Sequence, residues 1–251
     1  MLFLDAFRWI LDGEHWGEVN FGPGIAAEFG SHLLLSFLSV LITAVIALPI
    51  GLYIGHAGRG RRFAVLVANV VRAFPTLGLL SLLILLFPLQ VTIVAVVLVF
   101  VLLGVPPLLA GAYAGLESVD RRTIDAARAM GHTEWQILLR VELPIAAPLI
   151  LGGLRSATLQ IVASVALVSQ FGTNSLGDFI LGGLTNQDYP QVVAGSILVT
   201  VLALLIDGVL AVVERSARPR GVSRDRVRTT TARGRRLRTA PTGAPIPEGN
   251  Q

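Results

Sequence analysis

Polar positions are sparse along most of this chain, and the apolar stretches between them are long. Five stretches, at about 33–55, 63–87, 91–116, 145–171 and 191–213, carry almost no charge. A helix of roughly 23 residues rises about 34 Å, enough to cross a hydrocarbon core of about 30 Å. The pattern therefore predicts an all-α membrane protein with five spans, and an odd number of spans places the two ends on opposite faces.

Breakers interrupt the apolar stretches: Pro49 in the first, Pro75 in the second, Pro106 and Pro107 in the third, Pro148 near the start of the fourth. Inside a bilayer, a broken helix survives only where protein or a water-lined path satisfies the freed backbone groups. These prolines are either kinks that improve packing or breaks that line a pathway. No internal repeat divides the chain into two halves of the kind seen in many gradient-driven carriers.

Arginine supplies the orientation, because short basic loops stay on the cytoplasmic side. Of the twenty arginines, seventeen fall in loop 56–62, loop 117–143 and the segment beyond 213, and only Arg8 falls on the other side. Arg72 and Arg155 lie within spans. The amino end is thus expected outside and the carboxyl end inside. Three regions follow: an extracytoplasmic segment 1–30, a transmembrane domain 31–214 containing an inside loop 117–144, and a basic tail 215–251. The first region is acidic, unlike the basic start of a secretory signal. Trp9 and Trp16 within it suit either a helix at the membrane surface or a solvated tail. The tail is poor in large apolar residues and is expected to be disordered, either touching anionic lipid headgroups or simply solvated. No nucleic-acid role is assigned to it.

Hydrophobic residues make up 53% and charged residues 14% of the chain, against about a quarter charged in a soluble domain. There is no cysteine, and the four histidines lack ligand spacing, which argues against a metal centre. There is also no lysine, so an ordinary phosphate-binding loop cannot form and any ATP has to be handled by a partner.

The inside loop has the punctuation of two short helices. Ser118 is the expected first cap, Gly131 the left-handed terminator, and Thr133 with Gln136 a capping box for the second helix. Small residues Ala126, Ala127 and Ala129 are ringed by Arg121, Arg122, Asp125 and Arg128, and Trp135 to Val141 precede Leu143-Pro144. By pattern alone such an elbow could rest on the bilayer surface or dock on a protein.

The spacing resembles the cytoplasmic motif of permeases from binding-protein-dependent ABC importers: Glu-Ala-Ala, three residues, Gly, nine residues, Ile-x-Leu-Pro. Here it reads Asp125-Ala126-Ala127, Gly131, then Val141-Glu142-Leu143-Pro144, with Asp for Glu and Val for Ile. Arg72-Ala73-Phe74-Pro75 is similar to the Arg-x-x-Pro element of such permeases. Gly55-His56-Ala57-Gly58-Arg59-Gly60, Pro106-Pro107-Leu108-Leu109-Ala110-Gly111, the run Gly152 to Gln160 and Leu176-Gly177-Asp178-Phe179-Ile180 look like the osmoprotectant branch.

The resemblance implies a type I importer permease fold and no catalytic, metal or cofactor site on this chain. It implies ATPase subunits that bind the ATP, a second permease subunit that is identical or paralogous, and an extracytoplasmic solute-binding protein. Asp125, Ala126, Ala127, Arg128, Gly131, His132, Thr133, Glu134, Leu143 and Pro144 would then form the coupling elbow. The solute would be glycine betaine, carnitine, choline or proline, with methionine-type importers the nearest rival and a stand-alone carrier or a non-transporting scaffold the outsiders. Arg72, Pro75, Arg155, Gln160, Ser164 and Gln170 are pathway or gate candidates. Charges within spans, Asp207 included, serve either structural pairing, snorkelling or the pathway itself. The polar residues on the fourth span serve interhelical hydrogen bonds or the pathway.

Overall fold

The computed structural model describes residues 1–17, 23–88 and 92–217. The basic tail expected from Arg215 onward therefore lies outside the described residues beyond Ala217. Among the described residues ten α-helices follow in order: α1 Leu2–Leu11, α2 Ile25–Ala57, α3 Arg61–Ala73, α4 Thr76–Leu86, α5 Thr92–Glu117, α6 Arg121–Ala129, α7 Glu134–Ile137, α8 Leu143–Val165, α9 Gly177–Asn186 and α10 Tyr189–Ser216. A π-turn, Leu138–Glu142, joins α7 to α8, and a 3₁₀ segment, Ala166–Phe171, extends α8.

Four helical stretches among the described residues are long and apolar enough to cross a membrane, and a fifth span is possible if α3 and α4 count as one. That pair is the expected span 63–87, and it is bent by 85°. The cause is local. A residue preceding proline is pushed out of the helical region, and Phe74 is extended at φ −77° and ψ 130°. Pro75 has no N–H to continue the ladder and becomes the cap of α4. Eleven residues in α4 rise only about 16 Å, too little to cross alone. Pro49, Pro106 and Pro107, by contrast, stay inside continuous α2 and α5.

The bundle is built on α2, α5 and α8. Lipid tails give no hydrophobic advantage to helix association, so close backbone approach has to supply the contact. Gly111 on α5 faces Gly153 on α8 so closely that a Cβ on Gly111 would lie 2.7 Å from the Gly153 Cα. On the other flank of α5, a Cβ on Gly51 of α2 would lie 2.5 Å from the Ala112 Cβ. Around these crossings Leu35, Val96, Phe100, Ile161 and Val165 form one buried cluster, and Ala47, Leu108, Leu109 and Ala157 another.

Helices α9 and α10 close against α8 through Val162, Leu176 and Leu202. The outward faces of α2 and α10 carry Phe37, Leu41, Val45, Leu204, Leu205 and Val209, all exposed, as expected of a surface meeting hydrocarbon or another membrane subunit. The amino-terminal segment is not a plain solvated tail. It forms α1, which rests on α10 with Ala6 buried. Trp9 meets Phe179 edge-on at 5.3 Å and stacks on His15 at 4.1 Å, and the Trp16 indole donates to the Ile10 carbonyl at 2.7 Å.

Candidate functional site

The elbow between α5 and α8 is specified residue by residue. Asp120 caps α6, its carboxylate accepting from the Arg122 N–H at 2.9 Å. Ser118, the expected cap, instead donates its hydroxyl to Gly115 O at 2.7 Å. It still belongs to the closing turn of α5, and the chain becomes extended only at Asp120.

At the other end of α6, Gly131 sits at φ +87°, where a Cβ is penalised. The Gly131 N–H bonds to Arg128 O and the His132 N–H to Ala127 O, the paired bonds of a Schellman ending. Thr133 and Gln136 then form the capping box of α7, at 2.9 and 3.4 Å. Arg128 crosses the corner, donating to both Glu134 oxygens at 2.8 and 3.1 Å and to Asp125 at 3.2 Å. The hydrogen bonds to Glu134 in particular push the Arg128 guanidinium pKa further above its already high range.

These contacts make the corner rigid, and they sort the predicted residues by direction. Asp125, Ala126, Arg128, Gly131, Thr133, Glu134 and Pro144 are exposed, and His132 and Leu143 are half-buried. Ala127 is 2% exposed, so it packs inward and offers no side chain to a partner. Met130 and Trp135, at 72% and 74% exposure, are the prominent apolar residues on the outer surface of the elbow.

Two residues that sequence reasoning did not single out complete the elbow. His56, in the last turn of α2, donates from Nδ1 to Glu142 Oε2 at 2.6 Å, and its Nε2 lies 3.6 Å from Glu134 Oε2. Glu142 is buried within the π-turn. The only signal in the sequence was position: a histidine at a helix end and a carboxylate inside the Val-Glu-Leu-Pro stretch. A polar cavity of about 360 Å³ lies beneath, lined by His56, Arg121, Asp125, Arg128, Glu134 and Glu142 among others.

The pathway candidates separate. Arg72 and Pro75 are exposed and flank the α3–α4 bend. Arg155 is bound by carboxylates, donating to both Asp207 oxygens at 2.6 and 2.7 Å and to Glu214 at 3.3 Å, which ties α8 to α10. Of the three duties left open for it, these contacts are those of structural pairing. Gln160 and Ser164 are half-buried on α8, and Gln170 is exposed at its end.

A further polar row escaped notice because it looks like ordinary sequence noise. Glu28, His32, Ser36, Ser39 and Thr43 recur at helical spacing on one face of α2 and are all buried. His32 Nε2 lies 3.0 Å from Val162 O, while Ser36, Ser39 and Thr43 leave their hydroxyl oxygens without a protein partner.

A bundle of apolar helices of membrane-spanning length carries this polar elbow immediately before α8. Residues 47–219 match the family described as the binding-protein-dependent transport system inner membrane component, and the chain belongs to it. Among curated relatives it is 32% identical over 201 residues to the glycine betaine/carnitine/choline transport system permease protein OpuCB of Bacillus subtilis (strain 168), covering 80% of this chain and 92% of that one. It is 33% identical over 217 residues to the carnitine transport permease protein OpuCD of Listeria monocytogenes serotype 1/2a (strain 10403S), covering 86% and 95%. The fold is that of type I ABC importer permeases. An inward-facing structure of the MetNI methionine ABC transporter superposes with a TM-score of 0.68 at 22% identity, covering 78% of this chain and 96% of that chain. The protein is thus a multi-pass inner membrane component of an ABC transporter.

Proposed function

We propose that this chain is the permease subunit of an ATP-driven importer of osmoprotectants such as glycine betaine, carnitine, choline or proline. Identity of about a third along nearly the whole length of curated osmoprotectant permeases supports the solute class. The likeness to a methionine transporter is one of fold and does not compete with it. Permeases of this kind hold no cofactor, and ATP is bound by the partner ATPase.

In this reading the elbow end faces the cytoplasm, the amino end lies outside, and a second permease, identical or paralogous, completes the path. An extracytoplasmic binding protein delivers the solute. A quaternary ammonium is held best over aromatic faces, and among the described residues the span aromatics form no cage, so selection is assigned to the binding protein. The exposed elbow residues, Asp125, Ala126, Arg128, Thr133 and Glu134, meet the ATPase, with Met130 and Trp135 adding apolar contact. The α3–α4 bend at Arg72 and Pro75, with Gln160, Ser164 and Gln170, lies on the solute path. Coupling requires that the ATPase hold the elbow with different affinity in its two states, since a ligand without such a difference shifts nothing.

The single observation that carries the proposal is the rigid corner at Gly131, placed at the motif spacing and joined without a break to α8. Its test is Gly131→Pro. Proline is locked near φ −65° where the backbone stands at +87°. The variant should insert in the membrane yet lose both co-purification of the ATPase and solute uptake into proteoliposomes. Retained co-purification with normal uptake overturns the assignment, as does uptake driven by an ion gradient with no ATPase present.

A further inference from the structure

We propose that His56 is a positioning residue that delivers the movement of the elbow to α2, so that a helix not joined to the elbow through the chain responds to the ATPase along with α5 and α8. The inference rests on the proposed function and adds to it a second route by which force enters the membrane domain.

The covalent route is plain: α7 runs through the π-turn into α8. A polar chain forms the second. Arg128 of α6 grips Glu134 at the start of α7, the Glu134 carboxylate lies 3.6 Å from one ring nitrogen of His56, and the other ring nitrogen donates to Glu142 at 2.6 Å. His56 therefore stands at the end of α2 between a carboxylate of the exposed corner and a carboxylate buried in the π-turn. The site suits a hydrogen-bond donor, because the last carbonyls of α2 add negative potential there.

What surrounds this bridge decides its role. His56 and Glu134 line both the polar cavity of about 360 Å³ and an apolar hollow of about 520 Å³ that Leu48, Leu52, Tyr53, Trp135 and Leu138 also line. Close-packed side chains transmit strain because they have nowhere to go, and two hollows interrupt that packing where α2 meets the elbow. The imidazole is the strut that spans the gap. One residue before His56, α2 is pressed closely against α5: a Cβ on Gly55 would lie 2.7 Å from the Leu116 Cβ and 3.1 Å from the Tyr113 carbonyl oxygen. A displacement delivered at His56 therefore passes from α2 to α5 by direct contact. The π-turn strengthens the case, since single π-turns inside helices occur mostly where a helix serves function and not only packing.

The experiment uses the whole transporter, with permease, ATPase and binding protein reconstituted in proteoliposomes, and reads solute imported per ATP hydrolysed. His56→Ala should keep the ATPase bound and ATP turnover within about twofold while imported solute per ATP falls about tenfold, the scale on which loss of one coupling contact acts. His56→Asn keeps an amide donor near the place of Nδ1 and should restore most of the ratio, which a role in bulk packing would not predict. As a measurement independent of yield, spin labels at Tyr53→Cys and Arg122→Cys, introduced into a chain with no cysteine of its own, should keep a constant separation through the ATP cycle. In His56→Ala that separation should vary with nucleotide.

An unchanged ratio in His56→Ala, or a separation indifferent to His56, overturns the inference. Equal loss in the Asn and Ala variants also overturns it. Failure of the parent reading looks different: the unmodified complex then shows no ATP-driven uptake at all.

Discussion

At the scale of single residues, chemistry and position divide the charged groups within spans into those held and those left to act. Arg155 is held, with two oxygens of Asp207 and one of Glu214 within hydrogen-bonding distance. Removing one partner of a half-buried pair leaves the other charge without its counterpart, whereas replacing both with apolar groups can be nearly neutral. Asp207→Leu alone should therefore lower the thermal stability of the purified protein more than the Arg155→Leu, Asp207→Leu double substitution does, so that the two effects do not add. Additive effects in that cycle would remove the structural role assigned to Arg155. The same accounting applies with opposite sign to Thr43. Its hydroxyl oxygen is buried without a protein partner, and an unpaired buried hydroxyl costs about 1–3 kcal/mol. Thr43→Val keeps the shape and should leave stability unchanged or higher by thermal melting. A clear loss would mean that the hydroxyl is satisfied by internal water.

The elements show what a sequence can and cannot express. The corner was legible because its determinants are local: Gly131 alone tolerates φ +87°, and the Thr133–Gln136 box spans one turn. The cap of α6 was misread by two residues, because Ser118 and Asp120 are both good caps and the choice depends on where α5 stops. In the second span the breaker was legible, but not which of the prolines would end its helix. Pro75 was visible, as were the prolines of α2 and α5, yet only Pro75 ends its helix. Burial does not separate them: Pro106 and Pro107 are buried, but Pro49 is exposed like Phe74 and Pro75 and still lies inside continuous α2. The glycines at the α5–α8 crossing carry no local signal at all, since their purpose is across the interface. Gly111→Leu places a side chain where the Gly153 Cα lies 2.7 Å from the first added atom. Overpacking a tight site costs about 1–3 kcal/mol or more, and here it should part α5 from α8 and lower the melting temperature. Gly152→Leu on α8, one position before Gly153, meets nothing within 4 Å and should be tolerated.

For the molecule as a whole, the number of apolar stretches and the elbow were readable from the chain, while the tertiary pairings that give Arg155, His56 and the α2 polar row their meaning were not, because partners up to 130 residues apart leave no periodic trace. Orientation is the whole-molecule property on which the proposed mechanism turns. It comes from arginine bias, a rule about loops flanking spans. The fold adds a geometric constraint. Ser31 and Leu34 near the start of α2, Thr92 and Ile93 at the start of α5, and Gly172 and Thr173 after α8 line one cavity of about 590 Å³, while the ends of α2 and α5 and the elbow meet at the polar cavity. These two sets mark opposite ends of the bundle, so one cannot be moved to the other face without reversing both. The absence of native cysteine makes the test clean. In intact cells, Thr173→Cys should react with a membrane-impermeant maleimide while Met130→Cys, on the elbow, should react only after the membrane is opened. The reverse pattern would put the elbow outside, beyond reach of any ATPase. Labelling of neither in opened membranes would place both within the hydrocarbon.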